Sequence, residues 1–155
     1  MKKKIFLLAI IGIFLDQVTK LLVTGFLNLN QVINVIDGFF SITYVRNTGA
    51  AWGMFSNNTL FISIISILFL FILIKYIKEL PKIDFLYVVA FGLIIGGIIG
   101  NLIDRLLRGY VVDFFRFIIL DYNYPVFNVA DMLIVIGSIV LIISFVRDDI
   151  IEKRK

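Results

Sequence analysis

The 155-residue chain is too apolar for a water-soluble domain, because 61% of its residues are hydrophobic and its mean hydropathy is +1.04. Its net charge is +4, and it contains no cysteine and no histidine. These absences exclude thiol nucleophiles, serine–histidine pairs, histidine-based zinc sites and disulfide bonds. Any chemistry must therefore use carboxylates, amines, hydroxyls and amides.

Four apolar runs are each long enough for a helix that crosses about 30 Å of hydrocarbon. They predict membrane spans at about residues 5–27, 59–79, 85–107 and 127–147. The start, MKKKIFLLAIIGIF, has the basic head and apolar middle of a signal peptide. No small-x-small cleavage site follows, so we expect an uncleaved first span. The sequence predicts a single, mainly α integral membrane domain over residues 1–155.

Basic residues gather before the first span, between the second and third, and after the fourth. They are Lys2, Lys3, Lys4, Lys75, Lys78, Lys82, Arg147, Lys153, Arg154 and Lys155. The positive-inside rule places these three regions and both termini in the cytoplasm, and residues 28–58 and 108–126 on the outer side. We therefore interpret the basic balance as a topology signal and expect no nucleic-acid partner.

The first span contains two charged residues, Asp16 and Lys20. They are four residues apart, so they lie on the same helix face and can pair. If the span starts at Ile5, Asp16 lies about 17 Å along it, near the bilayer centre. Two roles stay open for this pair. It could neutralise itself and hold helices together, or it could support or orient a substrate. A serine–lysine mechanism is less favoured, because no motif links a serine to Lys20.

The outer segment 28–58 is rich in β-branched and aromatic residues and has a turn signal at Asp37-Gly38. It predicts a small two- or three-stranded sheet on the outer membrane surface, and a loose aromatic loop is the alternative. The expected interfacial aromatic residues are Phe39, Phe40, Tyr44 and Trp52.

The third span carries Gly92, Gly96 and Gly100, a spacing of small residues that lets membrane helices approach closely. Continued by fours, the same stripe reaches Asp104, so its close-packed face ends in a polar cluster. Residues 108–126 mix apolar runs with isolated charges. This pattern predicts an interfacial loop, with a short helix or a strand in it.

Asp113 lies just beyond the third span, and Asp131 lies just inside the fourth. An outer loop between antiparallel helices brings its ends together, so both carboxylates should arrive at one depth near the outer surface. Such a pair shares one proton, and it can act as base towards water and as acid towards a leaving amine. This chemistry is peptide hydrolysis by an aspartic dyad. Asp131 also has capping-box spacing after Asn128, so helix capping is the competing interpretation.

Five blocks of the sequence, taken together, resemble lipoprotein signal peptidase (signal peptidase II). They are DQVTK (16–20), NTGAAWG (47–53), GIIGNLIDR (97–105), GYVVDF (109–114) and PVFNVAD (125–131). The resemblance implies a metal-independent aspartic endopeptidase of the bacterial cytoplasmic membrane that uses no cofactor. It would cleave signal peptides from diacylglyceryl-modified prolipoproteins, just before the lipidated cysteine, near the outer face.

The resemblance also implies roles for individual residues. Asp113 and Asp131 would be the catalytic aspartates. Supporting or substrate-binding roles would fall to Asp16, Lys20, Asn47, Gly49, Asn101, Asp104, Arg105 and Asn128. The family has four transmembrane helices, an outer β-sheet platform and an outer loop over the active site, in agreement with the spans and segments above.

The expected partners are lipid-modified prolipoproteins and membrane lipids, and we expect a monomer. The chain departs from the family at Met132, where a small polar residue often follows the second aspartate, so the fine shape of the pocket stays open. Two other functional classes also stay open. Intramembrane charges can mark the ion pathway of a transporter, and the glycine stripe could serve a non-catalytic scaffold.

Overall fold

The computed structural model describes residues 1–49, 54–81 and 83–153. Its four long helices are α1 (Lys2–Phe26), α2 (Thr59–Glu79), α3 (Phe85–Arg108) and α4 (Val129–Glu152). Each is long and apolar enough to cross a membrane, which confirms the predicted mainly α membrane fold. Trp52, Lys82, Arg154 and Lys155, named in the sequence predictions, lie outside the described residues.

The helices begin and end at residues with recognisable capping chemistry. The Asp84 side chain accepts a hydrogen bond from the Tyr87 N–H at the start of α3, and Gly109 ends that helix in the left-handed conformation with φ 76°. Asn128 caps α4, so this helix starts at Val129 and not at the predicted residue 127.

The helices run antiparallel, which gives the bundle two distinct ends. Lys2 Nζ donates to the Lys78 carbonyl, and Arg147 pairs with Asp84. The starts of α1 and α3 therefore lie at the same end as the finishes of α2 and α4. We call the other end, where α1 and α3 finish and α2 and α4 begin, the sheet end.

α3 is the most buried helix, and it packs against the other three. A Cβ at Gly96 would lie 3.0 Å from the Ala9 carbonyl oxygen of α1, and a Cβ at Gly97 would collide with the Ala130 carbonyl of α4. The small residues therefore lie where neighbouring backbones come close. Many large apolar side chains of α2 and α4 are exposed, as expected for surfaces that face lipid.

The sheet end carries one antiparallel sheet in the order β1-β2-β3-β4, formed by β1 (Val32–Ile36), β2 (Phe40–Asn47), β3 (Val111–Ile119) and β4 (Tyr122–Asn123). The turn between β1 and β2 contains the predicted Asp37-Gly38. The sheet has four strands, not two or three, because the segment expected as an interfacial loop supplies β3 and β4. The apolar and aromatic run VVDFFRFII pairs with β2 across a β-bulge.

The two faces of the sheet have different surroundings. Tyr44, Val112 and Phe114 form an apolar cluster with Val23 of α1. Tyr44, expected at the membrane interface, is therefore buried between the sheet and a helix. Because successive strand residues point to opposite faces, Asp113 lies on the face opposite Val112.

Candidate active site

Asp113 is the third residue of β3 and is only 2% exposed. Each of its carboxyl oxygens accepts a hydrogen bond from a side-chain amide. Oδ2 accepts from Asn47 Nδ2 at 2.9 Å, and Oδ1 accepts from Asn128 Nδ2 at 2.6 Å. Asn47 can reach Asp113 because Val45 lies opposite Asp113 in the β2–β3 pairing, and residues two apart in a strand share a face.

Asp131 lies in the first turn of α4, where it forms a capping box with Asn128. The Asn128 N–H donates to Asp131 Oδ2 at 3.1 Å, and the Asp131 N–H donates to Asn128 Oδ1 at 2.9 Å. The second carboxyl oxygen, Oδ1, accepts from Asn101 Nδ2 at 2.8 Å. One oxygen thus belongs to the helix cap and the other faces α3, so capping does not prevent a chemical role.

Asn128 joins the two carboxylates and is fully buried. Its side chain donates to Asp113, and its backbone N–H donates to Asp131. It is held beside β3 because the Phe127 N–H donates to the Phe115 carbonyl at 3.1 Å and the Phe115 N–H donates back at 2.8 Å. The structure therefore brings Asp113 and Asp131 together at the sheet end.

Three asparagine side chains donate to the two carboxylates, and each is oriented by a donor at its own oxygen. The donors are the Gly49 N–H for Asn47, the Asp131 N–H for Asn128 and the Lys20 ammonium for Asn101. A backbone N–H or an ammonium group can donate but not accept. Each amide must therefore turn its NH₂ group towards a carboxylate, and the polarity of the site is fixed.

Lys20 lies fully buried on α1 and contacts three oxygen atoms. Its Nζ lies 2.9 Å from Asp16 Oδ2 and 3.1 Å from Asp104 Oδ2, and it donates to Asn101 Oδ1 at 2.9 Å. The predicted pair with Asp16 is formed, and Asp104 joins it. Within the described chain no serine hydroxyl bonds to Lys20, so the geometry does not favour a serine–lysine pair.

Asp16 also caps α4 from the neighbouring helix. Its Oδ1 accepts from the Ala130 N–H at 2.9 Å. This N–H is one of the first in α4, and such groups have no partner within their own helix. A carboxylate at a helix N-terminus is further stabilised by the helix dipole. Asp16 therefore holds the turn of α4 in which Asp131 lies.

Asp104 holds β3 in the same way. Its Oδ2 accepts from the Val112 N–H at 3.0 Å, and Val112 immediately precedes Asp113. Lys20 bridges Asp104 and Asp16. One buried ion cluster, Asp16–Lys20–Asp104, thus holds both elements that carry the paired aspartates.

Arg105 lies beside the paired aspartates, and its charge acts on both of them. Its Nη2 donates to the Gly49 carbonyl at 3.2 Å. Its buried Nε has no hydrogen-bond partner among the described residues. Buried donors are normally paired, so Nε is a candidate donor to a bound ligand.

Gln17 belongs to the same cluster, although the sequence analysis did not single it out. Its Nε2 lies 3.1 Å from Asp16 Oδ2, 3.1 Å from the Gly100 carbonyl and 3.4 Å from Asp104 Oδ1. The only sequence feature that could have indicated it was its place next to Asp16 in DQVTK. Adjacent residues of a helix do not face the same side, so this position did not predict that Gln17 would contact the cluster.

Gly100 provides the space that Asp16 occupies, since a Cβ at Gly100 would lie 2.6 Å from Asp16 Oδ2. We expect Gly100→Ala to displace this carboxylate from Lys20 and to lower the free energy of unfolding by about 1–3 kcal/mol, as overpacking does. Thermal unfolding in detergent measures the loss. Gly25→Ala is the control, because nothing lies within 4 Å of a Cβ there. Equal effects of the two substitutions would contradict this explanation.

The surroundings of Asp113 favour its protonated form. Burial, followed by the charge of Asp131, raises the pKa of Asp113 from 3.8 to about 7, against the opposing hydrogen bonds from Asn47 and Asn128. Two neighbouring carboxyl groups that share one proton have the form needed for general acid–base chemistry.

Comparison with known proteins gives two consistent results. Residues 8–147 match the family model described as signal peptidase (SPase) II. Two solved structures of a bacterial membrane enzyme, determined by the in meso method at 2.3 and 1.9 Å resolution, have TM-scores of 0.87 and 0.84 to this chain. Each is 37% identical in sequence, and each match covers 96% of this chain and 90% or 95% of the other.

Proposed function

The chain belongs to the signal peptidase II family, and we propose that it cleaves prolipoproteins just before a cysteine that carries a diacylglyceryl group. Family membership makes it a membrane-embedded peptidase that acts on lipoprotein signal peptides. The cleavage position, the aspartic mechanism and the membrane face of the site are the further parts of the proposal.

The meeting of Asp113 and Asp131 at Asn128 is the observation that best supports an aspartic mechanism. The chain has no histidine or cysteine to serve as base or nucleophile. All four carboxyl oxygens of the pair accept N–H donors, and this arrangement suits proton transfer better than metal ligation. We therefore assign no role to a metal ion.

The proposed reaction starts with the shared proton on Asp113. Asp131 takes a proton from a water molecule, the resulting hydroxide adds to the scissile carbonyl carbon, and Asp113 gives its proton to the carbonyl oxygen. Asp131 then gives its new proton to the leaving amine as the carbon–nitrogen bond breaks. A hydroxyl proton of the intermediate returns to Asp113, so the pair ends as it began.

The surrounding residues would position the dyad and the peptide. Asn47, Asn101 and Asn128 hold the carboxylates through amides of fixed polarity. The Arg105 Nε has no hydrogen-bond partner among the described residues and is suited to donate to a carbonyl oxygen of the bound peptide. Donors fixed in advance around a buried site stabilise developing charge without reorganising.

The proposed topology places the sheet end at the outer face and both termini in the cytoplasm. The described basic residues near the bundle's other end support this orientation under the positive-inside rule. They are Lys2, Lys3, Lys4, Lys75, Lys78, Arg147 and Lys153. The site would then lie at the outer edge of the bilayer, level with the end of a signal helix. One chain supplies the whole described site, which is consistent with a monomer.

The test is to incubate the purified protein with a diacylglyceryl-modified prolipoprotein and, separately, with the same precursor without lipid. Mass spectrometry should find cleavage of the lipidated precursor alone, immediately before the modified cysteine. Failure to cut either precursor would refute the proposed cleavage of prolipoproteins. Equal cutting of both would refute the requirement for lipid.

We expect kcat/KM to fall on the alkaline side with an apparent pKa near 7. Asp113 holds its proton below the pKa of about 7 and loses it above, and without this proton the pair has no acid for the carbonyl oxygen. Rates measured from pH 5 to 9 on a lipidated peptide check this, with thermal unfolding at each pH to show that the fold persists. A kcat/KM that keeps rising from pH 7 to 9 would contradict it.

A further inference from the structure

Two tyrosines and one arginine lie on the face of the sheet opposite Asp113, and a second arginine, at the end of α3, acts on both tyrosines through its charge. We call Tyr44, Arg46, Arg108 and Tyr110 the arginine–tyrosine cluster. Tyr44 and Arg46 alternate along β2, so they share a face, and Tyr44 on this face packs with Val112 and Val23. The peptidase mechanism proposed above uses none of the four.

Arg46 is held in one orientation although it is exposed. Its Nε donates to the Tyr44 hydroxyl at 3.0 Å, and its Cζ lies 4.7 Å from the centroid of the Tyr110 ring. The two tyrosine hydroxyl oxygens are 3.3 Å apart. These contacts use Nε and place Cζ over the Tyr110 ring. The two terminal nitrogens have no hydrogen-bond partner in the part of the chain that the structure describes.

Arg108 brings a second positive charge to the same place. Burial raises the pKa of Tyr44, but the hydrogen bonds from Tyr110 and Arg46 and the charges of Arg46 and Arg108 outweigh it, so the pKa lies below its ordinary value. The Arg108 Nε lies 3.6 Å from Asp104 Oδ1, and Asp104 is already paired with Lys20. Lys20 is shared with Asp16, so Arg108 balances the remaining carboxylate charge, and the net positive charge of the cluster comes from Arg46.

The cluster lies at the level where two helices end, which the proposed topology places at the outer membrane boundary. α3 ends at Arg108 and α1 ends at Phe26. Phe26 is 79% exposed and Leu107 is 80% exposed, so the same two helix ends also present exposed apolar side chains. Lipid phosphates lie at this depth, just outside the hydrocarbon layer.

We propose that the arginine–tyrosine cluster binds the phosphate of a phospholipid headgroup. The outer edge of the Arg46 guanidinium would bind two phosphate oxygens as a fork, and Arg108 would add charge. The acyl chains would lie along the exposed ends of α1 and α3. The ligand is distinct from the proposed substrate lipid, because a diacylglyceryl group has no phosphate. Since Asn47 follows Arg46 in β2, the lipid would hold the strand that contacts Asp113.

Equilibrium binding of fluorescent phosphatidylglycerol to the full-length protein in maltoside micelles tests the proposal. We expect Arg46→Met to weaken binding by about 10- to 100-fold, the effect of losing hydrogen bonds to a charged group. Arg46→Lys should lose less binding affinity than Arg46→Met, because lysine keeps the positive charge although it cannot bind two phosphate oxygens as a fork. Arg116→Met is the matched control, since Arg116 lies on β3 and its Nη2 donates to Asn123. It should bind as the wild type does.

Competition experiments show which part of the phospholipid, the phosphate or the acyl chains, the protein recognises. Diacylglycerol with the same acyl chains should fail to compete, and glycerol phosphate should compete only at far higher concentration. Wild-type binding by Arg46→Met, or full competition by diacylglycerol, would overturn the phosphate site and leave an apolar contact only. Full competition by glycerol phosphate would overturn the lipid assignment. Lipid binding is measured without a peptide substrate, so its failure would leave the peptidase proposal standing.

Discussion

Replacing Asp113 or Asp131 with asparagine is expected to remove peptidase activity and leave a folded protein. Asparagine has nearly the shape of aspartate but cannot take up or release a proton near neutral pH. We therefore expect kcat/KM to fall by at least about 10³-fold, within the range attributed to general acid–base catalysis. Cleavage of a lipidated prolipoprotein measures the activity, and thermal unfolding in detergent checks the fold.

Asp131→Asn also separates catalysis from helix capping. The new side-chain oxygen can still accept from the Asn128 N–H, so the cap should persist while the proton transfer is lost. If this variant kept most of its activity, capping would be the main role of Asp131. Asp121→Asn is the matched control, because Asp121 is exposed in the β3–β4 turn with φ 62°, a conformation that asparagine tolerates. It should keep full activity.

Lys20→Met is expected to be strongly destabilising. Methionine fills much of the space of the lysine side chain but leaves Asp16 buried without its cation and Asp104 with Arg108 alone. Removing one partner of a buried ion pair costs roughly 3–5 kcal/mol of folding free energy. The two carboxylates also hold the backbone next to Asp131 and Asp113, so activity should fall as well. Chemical unfolding in detergent measures the loss of stability.

Lys75→Met is the control for this substitution, because Lys75 pairs with Glu79 at 3.9 Å and both side chains are about two-thirds exposed, at 68% and 65%. We expect it to change the free energy of unfolding by less than about 0.5 kcal/mol. Adding Asp16→Asn to Lys20→Met removes the carboxylate whose only cation among the described residues was Lys20, and it should restore part of the stability. Equal stability of Lys20→Met and Lys75→Met would refute the role given to the ion cluster.

The helices could be predicted because length and hydropathy alone determine whether a segment can span a membrane. α2 covers the predicted residues 59–79, and α3 ends one residue after its prediction. α4 starts at Val129, later than predicted, because the Asn128 cap and not the apolar run determines the first helical residue. Hydropathy thus finds a span, and capping chemistry fixes its end.

The pairing of β3 could not be predicted in the same way. Residues 111–119 are apolar and aromatic with isolated charges, a composition that fits either a strand or an interfacial helix. Their partner strand, β2, is distant in the sequence, and the β3–β4 turn uses Leu120 and Asp121 at positive φ without a glycine. Strand preference depends strongly on such tertiary neighbours.

Asp113 and Asp131 could be found from their residue type and their expected depth in the membrane. The residues that hold them in place could not be found in this way. Asp16 binds the Ala130 N–H, and Asp104 binds the Val112 N–H. Every residue except proline has a backbone N–H, so the sequence does not show which of them a distant carboxylate will bind. For the same reason the sequence left two roles open for Asp131, because an aspartate that caps a helix and an aspartate that transfers protons are the same residue in the sequence.

The capping of α4 by Asp16 has a consequence for biogenesis. α1 leaves the ribosome first and α4 last, so during synthesis Asp16 and Lys20 can enter the lipid with each other as partners. Asp131 and the peptide group that Asp16 binds are added only when the final helix is made. Under the proposed mechanism, a partly made chain therefore lacks Asp131 and cannot form the aspartic pair until α4 has been synthesised.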